Sequence, residues 1–348
     1  INALPTVARA RVEYRPAGAG AAHIDAAILE RRLWPLDWPD LVAHGARAAI
    51  DARVRVDLAN VLSAGELWRV AGSWQHNRRG MEIGVSAPDV FGMHGVTSLD
   101  AGVNNASFGA ASETAFVRTT HRRVAFGMSD WATGALQWMA GASLDDWDAR
   151  ATYGGALGGV EFRTADERVA LRGLVDGWWA PQTSERFGRG RVRATFRTRS
   201  STITPDMQPY EALLVVGAQT TSARAPRDLW SGAGTGRGVR ALLRAHPLMD
   251  DDGVIRSRFW APSLAHATLE LRRWLTSIGP VRIGAAAFVD AAVASGGPAA
   301  LSGGRSAIDA GGGLRLALPG VGTTLRLDAA HGLSDGASAV SIGWDVRD

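Results

Sequence analysis

The sequence predicts an all-β fold: a transmembrane antiparallel β-barrel of sixteen strands behind a small N-terminal α/β segment. Three observations predict it. Apolar and polar residues alternate with period two along most of the 348 residues, the mark of strands with two different faces. Many alternating stretches run roughly 9–12 residues, the length a tilted strand needs to cross a bilayer, whereas strands of soluble sheets average about 5–6. Composition agrees, with 42 Gly and with 13 Trp against 3 Tyr. Glycine suits tight turns and crowded strands, and indole suits a membrane–water boundary. The sequence has no apolar run long enough for a membrane helix. Hydrocarbon leaves no backbone group unpaired without penalty, so a spanning sheet has to close on itself.

The elements follow in order. Residues 1–36 read as a hairpin, with strands at 8–15 and 23–30 across Pro16-Ala17-Gly18-Ala19-Gly20. Trp34-Pro35 and Trp38-Pro39 then break the chain. Residues 37–51 read as a linker with a short helix that Asp40 would cap. From residue 52 to the end, the alternation predicts strands near 52–58, 65–75, 79–87, 95–104, 113–126, 134–147, 151–164, 167–179, 187–198, 210–221, 263–276, 280–294, 306–318, 322–332 and 337–346. The clearest is Arg191-Val192-Arg193-Ala194-Thr195-Phe196-Arg197, where arginine and threonine oppose valine, alanine and phenylalanine. These are fifteen spans, and single-chain bacterial barrels have even strand numbers. A sixteenth strand is therefore expected in 105–126 or in 222–262. The second stretch is the longest break, rich in Gly, Arg and Asp, and loops of such length are usually functional or disordered.

Several chemistries are excluded. With no cysteine, disulfides, thiolate metal sites and thiol nucleophiles are impossible. The chain is 46% hydrophobic and 21% charged, too apolar for disorder. Its basic residues are all arginine, spread along the chain and nearly balanced by 34 acids, so no basic patch suggests nucleic acid. The histidines lack metal-ligand spacing, Gly232-Ala233-Gly234-Thr235-Gly236 lacks the lysine of a phosphate loop, and no serine sits in a nucleophile elbow. The expectation is a non-enzyme with no catalytic residue, metal or cofactor. His121-Arg122-Arg123 and Arg244-Ala245-His246 read as solvated or lumenal. Asp145-Asp146, Asp148 and Asp250-Asp251-Asp252 read as turn or loop acids. The first residue is Ile1, which reads as a processed or partial chain.

Parity places two acids in the lumen. Glu270 shares a face with His266 and Arg272, opposite Leu269, Leu271 and Leu275. Asp290 shares a face with Arg282, opposite Ile283 and Val289. An arginine reaching both could bridge them with its fork of donors.

The C-terminal third resembles the Omp85 superfamily, which includes the BamA and TamA assembly factors and surface antigens of that type. Gly236-Arg237-Gly238-Val239 is similar to the family's Arg-Gly-aromatic loop tip. Thr268-Leu269-Glu270-Leu271-Arg272 is similar to its Glu-bearing strand, and Phe288-Val289-Asp290-Ala291-Ala292 to its Phe-x-Asp-x-Gly strand. Asn60-Val61-Leu62-Ser63-Ala64-Gly65 resembles an Asn-x-x-Gly-x-Gly turn near the barrel start, and residues 9–33 resemble the last hairpin of a POTRA domain. The chain departs from the pattern at Val239, at Ala292 and in its Asp345-Val346-Arg347-Asp348 end.

The resemblance implies that the long loop folds into the barrel. Arg237, next to Gly238, would meet Glu270 and Asp290 beside Phe288. It implies a weak seam between the first and last strands, at Arg53 and Arg55 on one side and Val340, Ile342 and Trp344 on the other. It implies residence in the bacterial outer membrane, in contact with lipid and lipopolysaccharide. It further implies insertion or translocation of client outer-membrane or secreted proteins, with periplasmic or lipoprotein partners. A passive pore and a structural or anchoring barrel remain as alternatives.

Overall fold

Each alternating span becomes one strand of a single antiparallel wall, in chain order. The computed structural model describes residues 4–18, 21–30, 38–109, 115–149, 151–198, 210–237, 241–279, 281–296, 305–317 and 323–346. At the N-terminus, β1 (Val7–Gly18) and β2 (Ala21–Glu30) form a separate two-stranded sheet. Helix α1 (Trp38–Asp51) follows and begins two residues before the expected cap at Asp40. The wall then runs through β3 (Arg53–Ala59), β4 (Leu67–Gln75), β5 (Arg78–Pro88), β6 (Val96–Gly109), β7 (Phe116–Trp131), β8 (Leu136–Trp147), β9 (Thr152–Arg163), β10 (Val169–Ala180), β11 (Glu185–Arg197) and β12 (Tyr210–Thr221). Two residues each form β13 (Ser231–Gly232) and β14 (Trp260–Ala261), which pair with one another inside the long loop. The wall resumes with β15 (Ser263–Ile278), β16 (Val281–Ser295), β17 (Arg305–Ala317), β18 (Thr323–Gly332) and β19 (Ser338–Val346).

The two faces of the wall differ as the alternation demands. Along β11, Val192 and Phe196 point outward and are exposed, while Arg191 and Arg193 point inward. Val175, Leu144, Leu271 and Val340 are likewise exposed on the outer face. Such a band of large apolar side chains would be a liability in water and is the required surface in lipid. The inner face carries the charged and small residues, and the long loop 222–262 lies against it. Loop residues hydrogen-bond to both ends of the wall's sequence order: Ile255 exchanges backbone hydrogen bonds with Ser107 and Gly109, and Asn77 donates to the Asp252 carbonyl. The same loop pairs charges with β15, β16 and β18. The sheet is therefore curled around its own loop. The loop also supplies much of the interior core, where Ala233, Leu243, Phe259 and Ala261 pack against Leu264, Ala292, Ala294 and Ala307.

The strand count needs a correction. Fifteen strands make the wall, with β3 and β19 at the ends of the strand order and no ladder between them among the described residues. Neither expected location supplies the sixteenth. Residues 105–126 are taken up by β6, β7 and the connection between them, of which 110–114 lie outside the described residues. Residues 222–262 form the inner loop instead. There, backbone groups are satisfied by short bridges and side chains, so the stretch has neither the period nor the length of a wall strand. Helix α1 packs against both terminal strands, β3 and β19.

Candidate functional site: the stations that hold the inner loop

The first station is built where β15 to β18 lie side by side. Alternation turns Glu270, Asp290, Asp309 and Asp328 inward, and all four are buried. Asp290 and Asp309 are direct partners in the β16–β17 ladder, so two like charges meet with no water to screen them. The wall supplies three arginines of its own. Arg315 is fully buried and joins two acids, with Nε 2.9 Å from Glu270 and Nη1 2.5 Å from Asp328. Arg272 lies 2.6 Å from Glu270 and Arg326 lies 2.6 Å from Asp328.

The fourth arginine comes from the loop. Arg244 places one amino nitrogen 2.8 Å from Glu270, the other 3.5 Å from Asp328, and its Nε 3.2 Å from Asp290. The contact to Asp290 is an ion pair without hydrogen-bond alignment, since neither Asp290 oxygen nor Arg244 Nε has an aligned partner. Its guanidinium centre lies 3.8 Å from the centroid of the Phe288 ring, a cation–π contact. Two glycines of β17 make room: a Cβ at Gly311 would lie 2.6 Å from the Phe288 ring, and one at Gly313 would lie 2.3 Å from the Asp328 carboxylate. Leu243, fully buried in the interior core, fixes the chain next to Arg244.

His246 extends this station. Its Nδ1 lies 3.0 Å from Asp309 and its Nε2 lies 2.9 Å from Asp335. The backbone N–H of Ala245 donates to Asp309 at 2.7 Å, and Arg258 also pairs with Asp335. Asp335 sits in the turn after β18, outside the wall strands. The hydrogen bond with His246, then that from the Ala337 backbone N–H, hold its carboxyl down at about 2.

The second station lies across the lumen, on β7 to β11. His121 stacks on Trp147 with centroids 4.4 Å apart. Trp147 meets Tyr153, Trp178 and Phe187 edge-on, and the loop packs Ala225 and Leu229 into the same cluster. Asp228 enters from the loop: Trp147 Nε1 donates to it at 2.9 Å, and His121 Nδ1 lies 3.0 Å from it. The other ring nitrogen of His121 lies 2.7 Å from Asp145, which is buried and also accepts from Ser143 at 2.5 Å and Trp178 at 3.0 Å. Both imidazole nitrogens can donate to these two carboxylates only when the ring carries both protons.

The expected site residues separate. Glu270, Phe288 and Asp290 are brought together as parity required. Arg237 is not among them. It is exposed, its carbonyl accepts from the Gln75 side chain at 3.3 Å, and the arginine on Glu270 and Asp290 is Arg244. Gly238 lies outside the described residues. The physical reason is that Arg237 has a polar, glycine-rich neighbourhood with nothing to bury, whereas Leu242 and Leu243 pull Arg244 inward. His121, Arg244 and His246, read as solvated or lumenal, are lumenal and paired, whereas Asp145, read as a turn or loop acid, is instead a buried acid of β8 paired with His121. The seam residues fall on the two edge strands. Arg55 pairs with Asp57 at 2.9 Å, Arg53 is exposed, Val340 and Ile342 are exposed on the outer face, and Trp344 is partly buried.

Wall and loop together define a class: an antiparallel membrane barrel fastened around an inward-folded loop. No protein-family model matches the chain, and no curated protein matches it by sequence. Solved structures do match. BamA from Haemophilus ducreyi, lacking POTRA domains 1-3, aligns over 98% of this chain and 75% of its own, with TM-score 0.57 and 13% identity. CdiB from Escherichia coli aligns over 96% of this chain and 66% of its own, with TM-score 0.58 and 14% identity. CdiB from Acinetobacter baumannii aligns over 97% and 64%, with TM-score 0.54 and 12% identity. This chain thus spans slightly less than two thirds of either CdiB chain. It has the barrel fold of BamA and CdiB, the Omp85-type fold that its motifs resemble.

Proposed function

We propose that this chain is the membrane barrel of an Omp85-type protein of the bacterial outer membrane, which inserts client proteins into that membrane or moves them across it. The observation that carries the reading is the inner loop, held by Arg244 on Glu270, Asp290 and Asp328 inside a wall whose terminal strands β3 and β19 form no ladder with each other among the described residues. A fastened plug beside an open edge suits a device that changes state. A passive pore needs a clear lumen, and here the loop crosses it. On this reading the exposed apolar band faces lipid and lipopolysaccharide, and β1–β2 is the tail of a periplasmic POTRA module through which periplasmic or lipoprotein partners would act.

Reconstitution tests the proposal. Liposomes carrying the protein should speed the membrane insertion of an unfolded outer-membrane porin several-fold over empty liposomes, read as heat-modifiable mobility on gels. Stable ion conductance in planar bilayers with no effect on porin insertion would support the passive pore instead. Neither activity would favour the anchoring barrel.

A further inference from the structure

The open edge poses a problem of direction. In an antiparallel sheet of fifteen strands, the first and last run the same way. β3 and β19 therefore cannot complete an antiparallel ladder with each other, and a closed wall that is antiparallel throughout needs one more strand between them. In hydrocarbon, two unpaired edges are costly enough to demand a partner. The element packed against both edges is α1, and it runs directly into β3 through the single residue Ala52.

We propose that residues 38–51 are a two-state segment: the helix α1 laid over the open seam, and, in the closed barrel, the sixteenth strand hydrogen-bonded to both β3 and β19. Length permits it, since 14 residues extend to about 46 Å at roughly 3.3 Å each, enough to cross the bilayer. The turn is already in place. Ile50 and Asp51 are helical and Ala52 has a φ of 48°, the right-handed, right-handed, left-handed order of a three-residue hairpin loop. That loop puts Ala49 opposite Arg53, Arg47 opposite Arg55 and Gly45 opposite Asp57. Arg47 then joins the lumenal row that contains Asp57, while Val42, Ala46 and Ala48 join the lipid face with Val54 and Val56. His44 falls opposite Leu58, near the end of the strand.

The helix also carries features that a helix does not ask for. Gly45 sits in its middle with nothing within 4 Å of where a Cβ would be, so no packing explains the glycine. Leu41 and Val42 are exposed at 44% and 52%, and the ion pair Arg47–Asp51 is long at 3.8 Å.

The absence of native cysteine allows a clean cross-linking test in the full chain. In the hairpin register, His44→Cys and Leu58→Cys lie opposite and within disulfide reach. In the helical state, the rises of helix and strand keep their Cα atoms at least about 8 Å apart, beyond the roughly 7 Å limit for a bridge. Oxidation of the protein in liposomes should cross-link the pair, and adding Gly45→Ala, which favours the helix, should slow the reaction about five-fold. Hydrogen exchange of the unmodified protein in the same liposomes gives an independent reading that decides the matter should the cysteine pair fail to assemble. Slow exchange across 38–51 and at the β3 amides turned away from β4 is expected. No cross-link together with free exchange at those β3 amides would overturn the proposal. It concerns the state of the seam, so it stands or falls separately from porin insertion.

Discussion

The two stations that hold the loop solve the same problem with different chemistry. On β15–β18 the loop brings in one permanent cation to four buried acids and three wall arginines. On β7–β11 it brings in one carboxylate, Asp228, to an aromatic cluster and a histidine. The first turns on charges whose acids are buried, so it should fail abruptly when a charge is removed, even with Leu243 and Phe288 packed beside it. The second draws on apolar area and ring contacts, which survive the loss of a single hydrogen bond. A loop held in this way has one station that sets whether it is in place and another that sets how well it packs.

The comparison can be broken most severely at Arg244. Arg244→Ala leaves Asp290 beside Asp309 with no cation between them, and should cost about 3–5 kcal/mol in denaturant unfolding from detergent micelles. Arg244→Lys should fall between the variant and the native protein, because one ammonium cannot reach three carboxylates as a guanidinium fork does. An equal loss in both would mean that the planar fork, not the charge, is what matters. At the aromatic station, Trp147→Phe keeps a ring and removes the donor to Asp228, with an expected loss of about 1–2 kcal/mol by the same unfolding measurement. A loss as large as that of Arg244→Ala would erase the distinction between the stations.

Smaller effects sharpen the picture. Asp335 has its carboxyl depressed to about 2 chiefly by His246. Its contribution is therefore fully present above the ordinary carboxylate range near 4, and is lost as pH falls from there through about 2. Asp335→Asn should flatten that acid limb in unfolding curves taken from pH 5 to 2 and change little at neutral pH. Arg237→Ala should stay within about 0.5 kcal/mol of the native protein, as expected for an exposed side chain with no ion pair among the described residues.

Much of the wall was legible because one physical constraint writes itself along every strand. Lipid outside and polar groups inside force a period of two, so all fifteen expected spans became strands and Glu270 and Asp290 could be turned inward by parity alone. The loop carries no such constraint. Its arginines look alike in sequence, and the glycines around Arg237 resemble the Arg-Gly loop tip more than the residues around Arg244 do. The usable signal was different: Ala241-Leu242-Leu243 puts an apolar run directly before Arg244, one of several in the loop, whereas Arg237 stands between glycines, and apolar residues mark where a loop is pulled inside. His121 was obscured for a related reason. Its partner Asp228 lies more than a hundred residues away, and no local period connects them. A gap in the alternation points to 105–126 or 222–262 for a sixteenth strand, whereas the one proposed above lies before β3, in a segment that forms a helix.

The central claim is that Arg244, not Arg237, keeps the loop inside the barrel. Limited trypsin digestion of the protein in liposomes tests it directly, because Arg224, Arg227, Arg256 and Arg258 offer cleavage sites along 222–262 in either variant. The loop should resist cleavage in the native protein and in Arg237→Ala, and should be cut rapidly in Arg244→Ala. A loop that stays protected in Arg244→Ala, or one released by Arg237→Ala, would contradict it.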